Sequence, residues 1–355
     1  MKTIFLSFSI TDSSVTDYFL ELSNQLAVNH KVIVIADKIE PHNFTISPAI
    51  EIFKWPSDRP NNFSDFWFLF RKTVRYRPQI MISMFGSVNL FVLVGFMLNI
   101  RHRIVWSHTI STASPAKKSL MQRKAFVYKL ANRLFANSNA TKQDLVENFN
   151  VKPAKIDLVY NAVREYKTNN KTVNPDKIVY VGSLIPMKGV DTLFEAMPAV
   201  LAQFPNVKLT MVGGYIGGNS MKTYMEKAQS IGISDNVVFL GRQTKQSVLE
   251  QLSDAYFSVA PSLAEAFGFN VIESFSVKTP VIGSDSTGIS EIITDNSDGL
   301  LFKTKNAADL SAKMIRLLED AVLRNTFSGN CHAHFLREFE VGSAVDKVVG
   351  HLDGL

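Results

Sequence analysis

The sequence of 355 residues is poor in cysteine and has no long hydrophobic run. Its one cysteine, Cys331, cannot form an internal disulfide, and no C-x-x-C motif or Cys/His cluster is present to hold a structural metal. The longest apolar run, residues 89–100, is too short to cross a bilayer, which needs about 20 residues. These absences exclude a disulfide-stapled scaffold and predict a chain that does not span a membrane.

The N-terminal segment is short and apolar from Ile4 to Ile10. It continues directly into Thr11-Asp12-Ser13-Ser14, without the small-residue cleavage site that a signal peptide requires. We therefore expect a first buried strand here, and a cytoplasmic protein.

Acidic residues are missing from one long stretch of the first half. Between Asp65 and Asp144 there is no acid, whereas thirteen Lys and Arg residues occur. Residues 1–165 carry 21 basic and 12 acidic side chains, a net charge of +9, and the remainder carries −3. A surface of one sign favours an anionic partner such as a lipid headgroup, a nucleic acid or a phosphorylated substrate. Nucleic acid is disfavoured because no recognised binding motif accompanies the charge.

Helical spacing separates apolar from basic residues in this stretch. Phe63, Phe66, Trp67, Phe70 and Val74 form a stripe predicted to pack on a sheet, and Leu120, Val127, Leu130 and Leu134 form a second one within residues 115–135. The opposite, basic faces are predicted to contact the acceptor or an anionic membrane through Phe68, Arg71, Lys72, Arg75, Lys117, Lys118, Arg123, Lys124, Lys129 and Arg133. The alternative is a solvated basic face that serves solubility.

Strand-length apolar runs alternate with helical segments along the whole chain, which predicts an α/β fold with parallel sheets. The polar segment 164–176 interrupts this alternation and is typical of an interdomain linker. We expect two doubly wound Rossmann-like domains facing across a cleft, at residues 1–165 and 166–337. The last helix, within residues 338–355, is expected to pack back on the first domain.

Two glutamates eight positions apart, Glu265 and Glu273, follow a predicted strand and lie at the start of a helix. The main-chain N–H groups at Phe267, Gly268 and Phe269 would then point into the cleft and could bind anions or hydroxyls. Taken singly, either glutamate also fits an ordinary helix-start or solvated position.

The chain from Val179 to Phe302 resembles the retaining GT-B glycosyltransferases of family 4, also called glycosyl transferases group 1. Their signature is two glutamates separated by seven residues, as in Glu265 and Glu273. Further blocks follow in the family's order and spacing, at residues 180–189, 211–214, 238–241, 279–283 and 287–291.

The resemblance implies a site for a nucleotide-sugar, which is a co-substrate, so no cofactor is expected. Lys188 would bind the diphosphate, Glu273 the ribose hydroxyls and Glu265 the sugar hydroxyls. The remaining donor-binding positions would be Gly182, Ser183, Gly213, Gly214, Arg242, Phe267, Gly268 and Phe269. His108, after a predicted strand of the first half, matches the family's histidine that contacts the donor sugar, although a lone histidine there is usually structural. Lys188, Glu265 and His108 are thus the expected catalytic residues.

The sequence departs from the family at several positions. Ser183 replaces an arginine that often follows the diphosphate-loop glycine, so one phosphate cation must come from elsewhere or is missing. No D-x-D motif occurs, which argues against a metal-bridged diphosphate and predicts no metal site.

The expected function is a retaining, metal-independent transfer from a UDP-sugar to a glycan or lipid-linked acceptor, as in synthesis of bacterial-type surface polysaccharides or glycolipids. The enzyme would lie peripherally on the inner face of the cell membrane. The alternatives are a nucleotide-sugar epimerase or phosphorylase of the same fold, and a non-catalytic carbohydrate-binding or membrane-binding protein.

Overall fold

A computed structural model describes residues 1–41, 44–111, 118–167, 172–214 and 220–355. The chain divides into two compact units. Unit 1 comprises residues 1–164 and 341–355, and unit 2 comprises residues 165–340. The elements below are numbered along the whole chain.

Unit 1 is built on a parallel sheet in the order β3-β2-β1-β4-β5-β6-β7. Its strands are β1 (Thr3–Ser7), β2 (Lys31–Ala36), β3 (Glu51–Lys54), β4 (Ile80–Met84), β5 (His102–Ser107), β6 (Arg133–Ala136) and β7 (Ile156–Leu158). Its helices are α1 (Ser14–Asn29), α2 (Phe63–Tyr76), α3 (Val88–Met97), α4 (Lys118–Leu130), α5 (Asn139–Glu147) and α12 (Val341–Asp353).

Alternate strand residues bury opposite faces of this sheet. Ile4 and Leu6 of β1 pack in one core with residues of α1 and α12. Phe5, between them, packs in another core with residues of α2 and α3. Helices therefore cover both faces, as expected for a parallel sheet.

Unit 2 has a parallel sheet in the order β10-β9-β8-β11-β12-β13. Its strands are β8 (Asn174–Val181), β9 (Lys208–Val212), β10 (Val237–Gly241), β11 (Ala255–Ala260), β12 (Val281–Ser284) and β13 (Gly299–Phe302). Its helices are α6 (Val190–Gln203), α7 (Ser220–Ser230), α8 (Lys245–Ser253), α9 (Phe269–Ser276), α10 (Ala307–Glu319) and α11 (Ala321–Glu338).

The strand order reverses once in each sheet, between β1 and β4 in unit 1 and between β8 and β11 in unit 2. In open α/β sheets a crevice forms outside the carboxyl ends of the strands at such a reversal, and ligands bind there. The loops after β8 and β11 are therefore the first place to look for a site in unit 2.

The predicted linker is partly wrong. Its last residues, Asn174 to Asp176, belong to β8, which begins three residues earlier than the apolar run indicates. Asn174 pairs with Ala255 of β11, and its N–H donates to Asp254 O over 2.9 Å. These main-chain bonds let a polar segment extend the strand.

The predicted packing face of α2 is wrong in part. Phe66 and Phe70 of the predicted stripe are half-buried and pack on the core that contains Phe5, but the other members are exposed. The buried residues of the helix are Asp65, Leu69 and Thr73, whereas Phe63 and Trp67 of the predicted stripe are 73% and 43% exposed. Polar residues can be buried here because they are satisfied locally. The Asp65 carboxylate accepts from the main-chain N–H groups of Ser57 and Asn62, and Thr73 Oγ1 donates to Leu69 O over 2.8 Å.

The helix predicted across residues 115–135 ends earlier, at Leu130, and Arg133 lies on β6. Asn132 causes this break, because its N–H donates to Arg103 O and its side chain accepts from Arg103 N, both over 2.9 Å. The Arg133 guanidinium donates to Ala154 O over 3.1 Å and lies 3.6 Å from Asp157. Arg133 is therefore not part of a basic helix face.

Candidate active site

Lys188 and Glu265 form an ion pair at the strand-order reversal of unit 2. Lys188 ends the 3-10 turn Pro186–Lys188 after β8, and Glu265 lies in the loop between β11 and α9. Ser262 Oγ also donates to the Glu265 carboxylate over 3.2 Å. The two charged side chains are thus paired across the crevice where a ligand is expected.

The main chain fixes the two loops that carry this pair. Leu263 N–H donates to Met187 O over 2.9 Å. Gly189 has a φ of 67°, and a Cβ there would lie 1.9 Å from Pro261 O, so no other residue fits without displacing a loop. The ion pair is therefore held by backbone contacts and does not depend on side-chain packing alone.

A cavity of about 450 Å³ lies at the carboxyl ends of β8, β9 and β10. It is lined by Val181, Gly182, Ser183, Val212, Gly213, Gly214, Arg242, Gln243 and Val248. Gly213 has a φ of 129°, and a Cβ there would lie 2.1 Å from Gly182 O. Two strands thus approach closely at the cavity, and their main chain forms its floor.

The first turn of α9 lies next to this cavity. Asn270 Nδ2 donates to Val181 O over 3.1 Å, which joins α9 to the end of β8. Gly268 precedes α9 with a φ of 114°. The ring of Phe267 is buried, 6.0 Å from that of Phe339, so only its main chain can face a ligand. Glu273 lies half-buried on α9.

Five predicted donor-site residues therefore line one cavity, and the Lys188–Glu265 pair lies at the neighbouring strand ends. Sequence reasoning missed Gln243, Val248, Ser262 and Asn270. Gln243 directly follows Arg242 after β10, so the rule that sites lie at carboxyl strand ends could have found it. Ser262 and Asn270 are contacts made by folding, and no sequence signal marks them.

His108 lies in unit 1, just after β5. Neither of its ring nitrogens has a hydrogen-bond partner among the described residues, and both are buried. Burial lowers the pKa of His108 to about 3, so the imidazole is neutral at physiological pH. The ring of Phe85 stacks on it at a centroid distance of 5.1 Å. Phe85 has a φ of 51°, which is unusual for a bulky residue.

Two of the residues predicted to contact an acceptor or a membrane, Phe68 and Lys72, pack against other residues of unit 1. Phe68 packs on Trp55 at a centroid distance of 5.8 Å, and Lys72 Nζ lies 3.2 Å from the centroid of Phe53. Burial lowers the pKa of Lys72, with a further contribution from Arg75. Both side chains are therefore engaged with unit 1 itself.

The other predicted basic residues divide into three groups. Arg71 and Arg75 are exposed on α2, and Lys118 and Lys129 are exposed on α4. Arg123 and Lys124 line a cavity of about 900 Å³ in unit 1. Lys117 lies outside the described residues.

Within the described residues, no group of three or more His, Cys, Asp or Glu side chains is placed to hold a metal ion. No helix of the described part of the chain is long and apolar enough to cross a membrane.

Two parallel-sheet, Rossmann-like units with these strand orders define a GT-B fold, as predicted. The model of the family described as "Glycosyl transferases group 1" matches residues 164–332, and that of "Glycosyltransferase Family 4" matches residues 15–165. The chain therefore belongs to the group 1 and family 4 glycosyltransferases, which confirms the resemblance seen in the sequence.

Individual relatives agree with this assignment. An uncharacterised glycosyltransferase of Methanocaldococcus jannaschii is 29% identical over 62% of this chain and 60% of its own length. A D-inositol 3-phosphate glycosyltransferase of Nocardia farcinica is 26% identical over 64% of this chain and 56% of its own length. The matches thus span little more than half of these relatives.

Among solved structures, Anabaena HepE in complex with UDP superposes with a TM-score of 0.81 at 16% identity, covering 100% of both chains. HepE has also been solved with UDP-glucose. At this identity the likeness establishes the fold alone.

Proposed function

We propose that the protein transfers a sugar from a UDP-sugar to a glycan or lipid-linked acceptor, with retention of configuration and without a metal ion. Its role would be in the synthesis of surface polysaccharide or glycolipid. The observation that carries this proposal is the Lys188–Glu265 pair at the strand-order reversal of unit 2, together with the cavity that Gly182 and Gly213 line at the neighbouring strand ends.

The cavity and the pair suit the two halves of a nucleotide-sugar. The close approach of Gly182 and Gly213 leaves room for a nucleotide against the main chain, with Arg242 at its edge. Glu273 on α9 would bind the ribose hydroxyls. Lys188 lies two positions before α6, so its cation and the helix N-terminus can act on the same diphosphate.

The ion pair gives donor binding a definite first step. In the unliganded protein Lys188 and Glu265 neutralise each other. An arriving diphosphate competes with Glu265 for the ammonium group, because a phosphate offers more negative charge than a carboxylate. Glu265 is then released to accept hydrogen bonds from the hydroxyls of the transferred sugar.

The chemical step requires stabilisation of the departing diphosphate and of an oxocarbenium-like sugar. Lys188 stabilises the developing charge on the diphosphate. Glu265 lies where its carboxylate can offset positive charge on the sugar ring. His108, held neutral by burial, would assist as a hydrogen-bonding group and not as a cation.

UDP is the proposed nucleotide because HepE, which has the same fold, has been solved with UDP and with UDP-glucose. The exposed cations of α2 and α4 support peripheral association with an anionic membrane, such as the inner face of the cell membrane. The proposed peripheral location thus rests on these cations and on exposed apolar side chains of α2, such as Phe63 and Trp67.

A product assay tests the proposal. The purified protein is incubated with radiolabelled UDP-glucose and related UDP-sugars, with and without an extract of surface glycans and lipid-linked sugars. We expect label in an acceptor and release of UDP, with little turnover by Glu265→Gln. The matched control is Glu226→Gln, an exposed glutamate of α7, which should retain full activity.

Conversion of the donor to an epimer, or release of sugar 1-phosphate in the presence of phosphate, would replace transfer with one of the alternative reactions. Wild-type turnover by Glu265→Gln would contradict a catalytic site at this pair.

A further inference from the structure

The Glu265 carboxylate accepts hydrogen bonds from two side chains, and both reach the same oxygen. Lys188 Nζ donates to Oε2, and Ser262 Oγ donates to Oε2 over 3.2 Å. The other oxygen, Oε1, has no hydrogen-bond partner among the described residues, and the Glu265 side chain is 20% exposed. One oxygen of the carboxylate is thus held by the protein, while the other is open to a ligand.

The two donors differ in how accessible they are. The Lys188 side chain is 29% exposed, and its ammonium group lies at the end of a flexible four-carbon chain. Ser262 is only 2% exposed, and its short side chain has little freedom to move away. An anionic ligand can therefore reach Lys188 and draw it from Glu265, whereas it cannot reach Ser262 in the same way.

The main chain at Ser262 is fixed by contacts that do not involve Lys188 Nζ. Ser284 Oγ, at the end of β12, donates to Ser262 O over 2.6 Å. The next residue, Leu263, donates its N–H to Met187 O over 2.9 Å. Strand β12 is the neighbour of β11, which ends at Ala260, so the adjacent strand supports the segment that carries Ser262. The position of the hydroxyl is therefore set by the fold and not by the ion pair.

This arrangement matters once a diphosphate has paired with Lys188. Ser262 is then the remaining hydrogen-bond donor to the Glu265 carboxylate among the described residues. A carboxylate without a partner can rotate among several side-chain torsions, and a partly buried charge without a partner is unfavourable. A hydrogen bond to an ionised group is stronger than one between neutral groups, so a single hydroxyl can restrict this rotation.

We propose that Ser262 is a positioning residue for the sugar-transfer step. Its hydroxyl holds Oε2 of Glu265 after the diphosphate has displaced Lys188, so that Oε1 faces the hydroxyls and the developing positive charge of the transferred sugar. Ser262 itself touches neither the nucleotide nor the sugar. This inference rests on the proposed function and adds to it a residue that acts only through Glu265.

Steady-state kinetics and calorimetry on the full-length protein test this role, with the UDP-sugar that is turned over in the product assay. Ser262→Ala should lower kcat about tenfold, as expected for the loss of one hydrogen bond to a charged group. The Kd of UDP should not change, because UDP carries no sugar that could contact Glu265. Ser258→Ala is the matched control. It removes another buried hydroxyl, which is hydrogen-bonded to Ser274 Oγ over 2.7 Å, and it should keep the kcat of the wild type.

A double-mutant cycle separates positioning from a general structural role. In a Glu265→Ala background, Ser262→Ala should cause no further loss of the residual turnover, because the group that it positions is gone. Radiolabelled donor makes this residual turnover measurable. A further loss of the same size in that background would overturn the proposal.

The proposal would also fail if Ser262→Ala kept the kcat of the wild type, if its Kd for UDP rose as much as its kcat fell, or if Ser258→Ala lost as much activity. These results are distinct from a failure of the proposed function. Wild-type turnover by Glu265→Gln would refute that function, whereas an impaired Glu265→Gln together with an unimpaired Ser262→Ala would refute the role of Ser262 alone.

Discussion

The two units share a sheet design but use the strand-order reversal differently. In unit 2 the loops at the reversal are joined by main-chain contacts and an ion pair, so a small cavity is closely defined. In unit 1 the corresponding end of the sheet leads into a cavity about twice as large, lined by the cations Arg123 and Lys124 and by apolar residues such as Leu93 and Phe126. The closely defined cavity of unit 2 suits the fixed diphosphate geometry of the proposed donor.

The largest expected effect comes from removing the cation of unit 2. Lys188→Ala should lower kcat/KM for the donor by about 10²–10³-fold, the loss typical when one charge-stabilising group is removed. Steady-state kinetics with a UDP-sugar measures this. Lys222→Ala is the control, because its i,i+4 pair with Glu226 is exposed and spans 3.8 Å. Equal losses of kcat/KM in both variants would show that Lys188 matters no more for turnover than an exposed lysine elsewhere in unit 2.

Close packing of the cavity floor predicts a large effect on stability. Gly213→Ala should lower the free energy of unfolding by about 3 kcal/mol, because the new methyl group meets Gly182 O and the backbone is strained. Urea denaturation measures this change. Gly232→Ala is the control, since Gly232 has a φ of 75° but no atom near the added Cβ, and about 1 kcal/mol is expected. A Gly213→Ala protein as stable as Gly232→Ala would show that the floor is not tightly packed.

A moderate effect is expected from His108 in unit 1. Its pKa is about 3 in the folded protein and near 6.5 when unfolded, so between these values the unfolded chain binds a proton that the folded chain does not. Stability from this group is complete above pH 6.5 and is lost as the pH falls toward 3. When the pH falls from 7 to 5, the free energy of unfolding of His108→Gln should therefore decrease by roughly 1–2 kcal/mol less than that of the wild type.

Urea denaturation at both pH values checks this difference. Val28→Gln, at an exposed and uncharged position of α1, serves as the control and should follow the wild type. An identical pH dependence of wild type and His108→Gln would mean that His108 is accessible to protons in the folded state.

The smallest expected effect concerns the charged surface of unit 1. Arg71→Gln should weaken binding to phosphatidylglycerol vesicles by about 1 kcal/mol, or roughly fivefold, because each cation near an anionic surface contributes about that much. Cosedimentation at low salt measures it, and the effect should shrink at high salt. Arg337→Gln in unit 2, also exposed, should not change binding. Salt-independent binding, or equal effects of the two variants, would contradict a membrane-facing unit 1.

Sequence patterns predicted the two-unit parallel-sheet fold, because strand-length apolar runs and helical spacing repeat along the chain. The family resemblance grouped Gly182, Gly213 and Arg242, and in the structure they line one cavity because all three follow strands of one sheet. The packing face of α2 was only partly predictable from hydrophobicity. Phe66 and Phe70 pack on the core, but Asp65 and Thr73 are also buried, through local hydrogen bonds.

The features that define the cavities depend on contacts between distant segments. The pairing of Lys188 with Glu265 joins residues 77 positions apart, and the backbone conformation of Phe85 has no sequence signal comparable to glycine. The exposure of apolar residues on α3 was also not predictable, because an uncharged, apolar helical segment is typical of a buried helix. Local patterns therefore locate strand ends, whereas the shape of each cavity depends on tertiary packing.

The most direct test of the central claim is thermal unfolding with nucleotides that differ only in the second phosphate. Unit 2 should bind the diphosphate of the donor through Lys188. We predict that UDP raises Tm clearly above the value with UMP at the same concentration, since a ligand present at 100 times its Kd stabilises the folded state by about 2.7 kcal/mol. This difference should disappear in Lys188→Ala. Equal stabilisation by UDP and UMP in the wild type, or a UDP effect that survives in Lys188→Ala, would contradict the account.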